Sequence, residues 1–387
     1  MRILVVGGGS GGHVTPIAAV LNALELTSHD EVRFWCDTGF RAQSETMMAR
    51  VKAPVRIETI CAGKLRRYNS LTAWQHLTQF RAIVWPNIRD GVKLAVGVVQ
   101  SFCKLLIWRP DVVFCKGGFV CLPVGVVARV LRIPLITHDS DAHPGLTNRI
   151  LAKWATKIAT GAPLENYNYP AHKAVFVGIP IDEQFTPPSK QAQQTAKAHL
   201  GFDSDAPLTL ITGGGLGSND MNMAVVATLE QLLVSTQVLL ITGMHNYESV
   251  YKATKHLQTP RLQVHGFLSE TMIDAMQAAD VVVSRAGATA LFELSALAKP
   301  TILVPNPYLA GGHQIKNAKM YEKAQAAVVV DDGAMNENPE ILLRSITELC
   351  NNREKQQQLS AAIHRFAKPN AAKDVAKLIR SSKVRAK

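Results

Sequence analysis

The sequence holds no CxxC pair, and its six cysteines (36, 61, 103, 115, 121 and 350) show no framework spacing. A zinc ribbon or a disulfide scaffold is therefore excluded, and reduced thiols in a cytoplasmic protein are the economical expectation. Cys115 and Cys121 flank a Gly-Gly turn, but no histidine stands close in sequence to complete a metal site. Long apolar runs are absent too. The most apolar window, Leu94 to Trp108, is interrupted by Gln100 and Lys104 and is too short to span a bilayer. Met1 to Val6 reads as a strand running into glycines, which is not the pattern of a signal peptide. The glycine loop that follows lacks the Lys-Ser/Thr ending of a P-loop. It also lacks the acidic residue that a dinucleotide fingerprint requires after its second strand; Asp37 comes nearest. No recognised nucleic-acid module accompanies the positive charge, so nucleic acid is not an expected partner.

What is present is a chain of 387 residues, enough for two domains that each bury a core. Its charge of +12 is unevenly placed. Residues 1–180 hold 21 Lys+Arg against 11 Asp+Glu, residues 181–364 hold 13 against 18, and residues 365–387 hold 8 against 1. A basic first part and a basic tail beside an acidic middle argue for a local anionic partner, and on charge alone nucleic acid and an anionic membrane both fit.

Strands and helices alternate throughout. Arg2 to Val6 is a buried strand, Gly7-Gly8-Gly9-Ser10-Gly11-Gly12-His13 a glycine loop, and Val14 to Leu26 the next helix, with Pro16 in its first turn. Leu208 to Thr212 and Gly213-Gly214-Gly215-Leu216-Gly217-Ser218 repeat the device in the second half. The fold class expected is α/β, with two Rossmann-like parallel-sheet domains facing a cleft. The first should cover residues 1–178 and the second 179–364, with a C-terminal helix at about 365–387 packing back on the first. Gly178 to Asp182 and the polar stretch Thr186 to Thr195 read as the linker.

The second half carries the sharpest local signal. Ala279 to Arg285 is a strand rich in β-branched residues that turns on Gly287 into a helix from Thr289 to Ala298. Such a turn leaves backbone N–H groups at the helix start, where phosphate oxygens bind. Glu293, one turn in, is placed to accept hydrogen bonds from ribose hydroxyls, and Gln314, after the strand Thr301 to Val304, is within reach of the same site. An ordinary βα turn with a solvated glutamate is the plain alternative for this segment taken alone.

Taken in order, the motifs resemble the N-acetylglucosaminyltransferases of glycosyltransferase family 28, which act in peptidoglycan synthesis. The residues that carry the resemblance are Gly8 to Pro16, Lys116-Gly117-Gly118-Phe119, Gly145-Leu146-Thr147-Asn148-Arg149, Gly213-Gly214, Arg285 through Glu293, and His313-Gln314 with Asn317. They run in family order over roughly residues 1–345. The resemblance implies a GT-B fold and an inverting hexosyl transfer, without cofactor or bound metal. N-acetylglucosamine would pass from UDP-GlcNAc to lipid I (undecaprenyl-diphospho-MurNAc-pentapeptide), giving lipid II at the cytoplasmic face of the plasma membrane.

By the same resemblance the donor lies in the second domain. Phe267 and Leu268 would stand near the uracil, the backbone of Ala288 and Thr289 at the diphosphate, Glu293 on the ribose, and His313 and Gln314 near the sugar, with Gly214, Gly215 and Arg285 on the same side. The acceptor would lie at the first glycine loop, at Ser10, Gly11 and Gly12, with Gly117, Gly118, Asp141 and Asn148. The chain departs from the family pattern in three places. His138-Asp139-Ser140-Asp141 stands for His-Glu-Gln-Asn, Gly178-Ile179-Pro180-Ile181-Asp182 for Gly-Asn-Pro-Val-Arg, and Gly213 to Gly217 for Gly-Gly-Ser-Gln-Gly.

His13, at a helix start, is the first choice as catalytic base, since imidazole titrates near neutrality; a structural histidine bonded to backbone is the plain alternative. Asp139 is the second choice. Asp139-Ser140-Asp141 is formally a DxD, but the two-Rossmann layout argues against the metal-dependent class that uses one. Between Lys64 and Arg109, the basic residues Arg66, Arg67, Arg81, Arg89, Lys93 and Lys104 interleave with Trp74, Leu77, Phe80, Trp85, Ile88 and Trp108. That pattern suits a peripheral enzyme on anionic lipid, and core helices with a solvated basic face are the alternative. Other cell-wall synthesis or division proteins are further candidate partners. A related UDP-sugar transferase for another lipid or soluble acceptor, or a non-catalytic sugar-nucleotide-binding scaffold, remains open on these residues.

Overall fold

A computed structural model of the chain describes residues 1–8, 11–64, 84–141, 144–257, 259–268, 271–309 and 312–382, with backbone only for 11–13. Ser10 and the expected lipid-facing residues Arg66, Arg67, Trp74, Leu77, Phe80 and Arg81 lie outside the described residues. The chain forms two compact units, Met1–Asp182 with Lys368–Lys387, and Glu183–Ala367.

Unit 1 runs β1 (Arg2–Val6), α1 (Gly11–Ala23), β2 (Glu31–Asp37), α2 (Arg41–Met48), β3 (Arg56–Ile60), α3 (Trp85–Ile107), β4 (Val112–Cys115), α4 (Cys121–Val130), β5 (Leu135–Asp139), α5 (Leu146–Leu151), β6 (Lys157–Thr160) and β7 (Ala174–Phe176). The seven strands pair in parallel in the order β3-β2-β1-β4-β5-β6-β7. Because successive strand residues face opposite ways, Ile3 and Val5 enter one core with Phe34 and Phe114, while Leu4 and Val6 enter the other with Trp35 and Val113. A sheet covered on both faces must be apolar along its whole length, which is why these strands read as continuous runs.

Unit 2 begins with α6 (Lys190–His199) and continues β8 (Leu208–Thr212), α7 (Asn219–Ser235), β9 (Gln237–Ile241), α8 (Tyr247–Thr254), β10 (Leu262–His265), α9 (Met272–Ala278), β11 (Val281–Ser284), α10 (Ala288–Ala296), β12 (Thr301–Leu303), α11 (His313–Lys323), β13 (Val328–Val329), α12 (Asp332–Glu337), α13 (Glu340–Asn351) and α14 (Arg353–His364). Its six parallel strands lie in the order β10-β9-β8-β11-β12-β13. The polar stretch expected as linker is a correction: from Lys190 it is helical, with Ser189 Oγ accepting from Ala192 N–H at 3.2 Å. Gln193 ties this helix to the sheet by donating to the carbonyls of Ala278 and Ala279 and to Asp280 Oδ1. The glutamines suggested solvent, yet one of them anchors the helix.

The last helix, α15 (Ala371–Ser381), returns to unit 1 and packs on α1. Arg380 donates to both oxygens of Asp30 at 2.9 Å and to the Leu24 carbonyl. This guanidinium holds the Asp30 carboxyl well below the usual carboxylate range.

Candidate nucleotide and acceptor sites

In unit 2 the strand order reverses at β8 and β11, whose Thr212 and Ser284 are register partners. Ligands of open parallel sheets bind at the carboxyl ends of strands beside such a switch point. The loop after β8 is built for close approach. Gly214 and Gly217 have φ of +80° and +75°, and a Cβ on Gly217 would stand 2.0 Å from the Thr242 carbonyl oxygen. Gly215, by contrast, has nothing within 4 Å of the position its Cβ would take. The loop therefore packs with one side and offers bare backbone on the other.

Across the switch point, β11 turns on Gly287 into α10. The first bond of that helix joins Leu291 N–H to Gly287 O at 3.0 Å, so the N–H groups of Ala288, Thr289 and Ala290 precede the ladder. No side chain caps this end and the space over Gly287 is open. The turn itself is fixed from below by Asn317 Nδ2, which donates to the Ala286 carbonyl at 3.1 Å. Glu293 is half-buried and, among the described residues, takes no hydrogen bond or ion pair. Burial without a cation pushes its carboxyl up to about 8.

Gln314 is buried, and its Oε1 accepts from Asn306 N–H at 2.9 Å, which leaves Nε2 as the outward donor. His313 precedes it at the helix start, behind Gly312 with φ of +60°. Phe267 follows β10 with 47% of its surface exposed, a ring available for stacking, and Leu268 beside it is half-buried. Arg285 is a correction to the expected donor contacts. Its Nη1 donates to the Val304 carbonyl and to Asp332, and its Nη2 to Ser218 Oγ, all within a buried site. It stitches the starts of α7 and α12 to β11 and positions the site from behind.

Unit 1 reverses strand order at β1 and β4, where Val6 pairs with Cys115, and Cys115 with Thr137 of β5. The ends of these three strands carry the first glycine loop, Lys116-Gly117-Gly118, and Asp139 to Asp141. Gly117 and Gly118 have φ of +114° and +88°, which a side chain would strain. His13 lies in the first turn of α1, where only backbone is described.

Asp139 is 3% exposed, and both of its oxygens are engaged. Oδ1 accepts from Asn148 Nδ2 at 2.7 Å and Oδ2 from the Tyr169 hydroxyl at 2.6 Å. Burial raises its pKa. Both Asp139 oxygens thus carry internal bonds, and Asn148 Nδ2 is shared between Asp139 and the His138 carbonyl. The sequence placed Lys116 in a motif without a role for it; it is 1% exposed with its ammonium on Ser140 Oγ. Burial lowers it to about 8, against the opposing pull of Asp141 and Asp139. A lysine closing the otherwise apolar strand Val112–Cys115 was the available signal.

The basic-apolar stretch resolves into α3. Trp85, Ile88, Val92, Val96, Val99, Phe102, Leu106 and Ile107 are all exposed, and at 3.6 residues per turn they fall within an arc of about 140°. The opposite face, with Gly97, Ser101 and Leu105, is buried. Beside the stripe, Lys64, Arg89 and Lys93 help line a cavity of about 360 Å³. Trp108 and Lys104 do not belong to it, which is a further correction. Trp108 is buried beneath the Arg33 guanidinium, and Lys104 donates to Glu58 at 2.6 Å. No helix among the described residues is long and apolar enough to cross a membrane.

Residues 3–160 match the glycosyltransferase family 28 N-terminal domain, and residues 208–378 the family 28 C-terminal domain. A curated UDP-N-acetylglucosamine--N-acetylmuramyl-(pentapeptide) pyrophosphoryl-undecaprenol N-acetylglucosamine transferase from Bacillus pumilus is 31% identical over 373 residues, 96% of each chain. The protein of the same name from Clostridium kluyveri is 33% identical over 90% of this chain and 91% of its own. The crystal structure of Acinetobacter baumannii MurG aligns over 98% of this chain and 99% of its own with a TM-score of 0.70 at 24% identity. A UDP-GlcNAc 2-epimerase from Neisseria meningitidis, bound to UDP-GlcNAc, aligns over 98% of this chain and 100% of its own with a TM-score of 0.67 at 12% identity. At such identities the two structures speak for the fold alone.

Proposed function

Because the chain belongs to glycosyltransferase family 28, we infer that it transfers N-acetylglucosamine from UDP-GlcNAc to N-acetylmuramyl-(pentapeptide) pyrophosphoryl-undecaprenol, a step of peptidoglycan synthesis. The observation that carries the reading is the start of α10. Three N–H groups ahead of the helical ladder, an open glycine and a half-buried acid one turn later fit the diphosphate and ribose of a nucleotide sugar.

Unit 2 takes the donor. The diphosphate sits on the N–H groups of Ala288 to Ala290, the ribose on Glu293, the uracil against Phe267, and the sugar by His313 and the Gln314 amide. The acceptor occupies unit 1 at the first glycine loop and the Gly117-Gly118 turn. Its sugar hydroxyl attacks the anomeric carbon as the bond to UDP breaks, which inverts that centre. The hydroxyl proton passes to His13, and the leaving diphosphate is stabilised by fixed N–H dipoles and the Gln314 amide.

The apolar face of α3 rests in the acyl boundary of the cytoplasmic leaflet, with Lys64, Arg89 and Lys93 on anionic headgroups. The enzyme is thus peripheral to the membrane that holds its undecaprenol-linked acceptor. Radiolabelled UDP-GlcNAc with a short-chain acceptor analogue, with and without EDTA, tests the reading. Label should enter the lipid product equally in both arms. No transfer by the wild-type chain would refute the function, and loss with EDTA alone would refute the metal-free route.

A further inference from the structure

The cavity beside α3 forms where β2 and β3 end, and its construction leaves a buried carboxylate facing it. Asp37 closes β2, with one oxygen 2.8 Å from the position that a Cβ on Gly8 would take. From β3 the chain runs directly along the backbone of α3. Cys61 N–H donates to Gln100 Oε1 at 2.8 Å. A Cβ on Gly97 would stand 2.0 Å from the Cys61 carbonyl oxygen, and one on Gly63 only 1.9 Å from that of Asp90. This packing seals Asp90, which is 4% exposed and still lines the cavity. Among the described residues its carboxylate has Arg89 Nε at 3.5 Å and takes no hydrogen bond. The cations of the cavity stand further out: the Arg89 side chain is 55% exposed, Lys64 is exposed and Lys93 half-buried.

The order of these groups round α3 identifies a ligand. At about 100° per residue, the edge of the apolar stripe is followed by Arg89, then Lys93, then Asp90. A molecule lying across them meets apolar surface, then positive charge, then a buried carboxylate. A phospholipid whose phosphate bears a primary ammonium presents acyl chain, phosphate and ammonium in that same order. The ammonium brings N–H donors to a carboxylate with free lone pairs, and such charge-assisted bonds are the strong ones. A phosphoglycerol headgroup would bring no cation to Asp90, and a phosphoserine would bring a further carboxylate to Asp90 and Asp37. We propose that this cavity, of about 360 Å³, receives the headgroup of phosphatidylethanolamine, its phosphate on Lys64, Arg89 and Lys93 and its ammonium on Asp90. The proposal rests on the reading of α3 as the membrane-facing helix. It adds a headgroup-specific site to a surface that net charge alone would leave indifferent between two zwitterionic lipids.

Cosedimentation of the full-length chain with phosphatidylcholine vesicles, with and without phosphatidylethanolamine, tests this without any change in surface charge. Phosphatidylcholine carries the same phosphate, but its quaternary nitrogen has no N–H to donate. Adding phosphatidylethanolamine should raise wild-type affinity about tenfold, the worth of one charge-assisted hydrogen bond. The isosteric Asp90→Asn should lose that gain and keep the salt-sensitive attraction to vesicles containing phosphatidylglycerol. Thr38→Trp fills the cavity from an exposed lining position and should lose the gain too, which keeps the test open should Asp90→Asn fail to fold. Equal wild-type affinity for the two zwitterionic vesicles overturns the proposal, as does a gain that survives either folded variant. A raised KM for a short-chain acceptor analogue in Asp90→Asn, with the vesicle gain intact, would give the cavity to the acceptor instead and also overturn it. These results leave the membrane reading standing, whereas a wild-type chain that binds neither zwitterionic nor anionic vesicles removes both.

Discussion

Unit 1 and unit 2 carry their candidate sites at the strand-order switch point of the same kind of sheet, yet they build them by different means. In unit 2 the switch point is shaped by backbone. Glycines close the loop after β8, one buried arginine braces the turn from behind, and burial pushes the carboxyl of half-buried Glu293 up to about 8. In unit 1 the edge is a charged cluster, with Lys116 buried among Asp139, Ser140 and Asp141. Topology therefore decides where each ligand goes, while the local balance of charge decides what kind of contact it meets. A diphosphate needs N–H dipoles. A sugar-peptide acceptor needs lone pairs and donors.

The largest effect should come from breaking the backbone rule in unit 2. Gly217→Ala places a methyl 2.0 Å from the Thr242 carbonyl oxygen at a φ of +75°. A loss of more than about 3 kcal/mol of stability is expected, read as a broken or strongly lowered unfolding transition. Gly215→Ala, two residues away, meets nothing of the protein within 4 Å. It should leave the melting temperature unchanged and weaken UDP binding, because the added methyl enters the ligand's space. Equal melting curves for the two variants would show that the loop is not packed as described.

Glu293 sharpens the contrast with the charged edge of unit 1. Glu293→Ala removes the ribose partner and should weaken UDP binding by about 1.5–3 kcal/mol, measured by calorimetry. Because hydroxyl donors favour the ionised acid, wild-type affinity should rise with pH up to about 8 and level off above it. That slope should vanish in Glu293→Gln. Stability has the opposite sign: between the ordinary glutamate value of 4.5 and about 8 the folded state holds a proton that the unfolded chain has released. Stability therefore falls as pH rises through that window, and Glu293→Gln should flatten the fall.

Much of this was legible in the sequence. Continuous apolar runs in alternation with helices gave the parallel sheets, and the paired glycine loops gave both switch points. Lost were the facts that depend on where a side chain's polar atoms are spent. Asp139 reads as a second choice of catalytic base until Asn148 and Tyr169 are seen on its two oxygens, and Tyr169 is thirty residues away in the chain. Arg285 reads as a donor-side residue until Asp332 and Ser218 are found on its guanidinium. The stretch Thr186–Thr195 looked like linker because composition cannot distinguish an exposed glutamine from Gln193.

The return of α15 to unit 1 has no counterpart in unit 2, and a smaller effect tests it. Arg380→Ala leaves the buried Asp30 with only the N-terminal ammonium at 3.0 Å and the Thr27 donors. A loss of about 1–2 kcal/mol at pH 7 is expected. Asp30 has a depressed folded-state pKa, so its contribution is present above the unfolded value of 3.8 and lost as pH falls. The gap between wild type and variant in denaturant titrations should therefore narrow below pH 4. A gap that stays constant into acid would mean that Arg380 acts by packing alone.

The smallest effect per residue separates the two units by their outer surfaces. In unit 2 the exposed large apolar residues Leu216, Met244, Phe267 and Tyr308 come from four different loops, not from one helix face. Unit 1 concentrates eight on one helix, α3, beside three cations. Single exposed apolar residues are ordinary on a globular surface, whereas a continuous stripe needs a partner. If the partner is anionic lipid, each basic residue contributes about 1 kcal/mol near the surface, and salt screens it. Cosedimentation with vesicles containing an anionic phospholipid should fall as salt is added, and the affinity should fall by roughly thirtyfold in Arg89→Ala/Lys93→Ala. Val92→Ser/Val99→Ser should weaken binding at every salt concentration, because that part of the affinity is apolar and unscreened. Substituting Met244 and Tyr308 by serine in unit 2 should leave vesicle binding unchanged. Equal binding of the wild-type chain to neutral and anionic vesicles would remove the electrostatic half of the contact, and equal loss from the unit 2 substitutions would remove the assignment to α3.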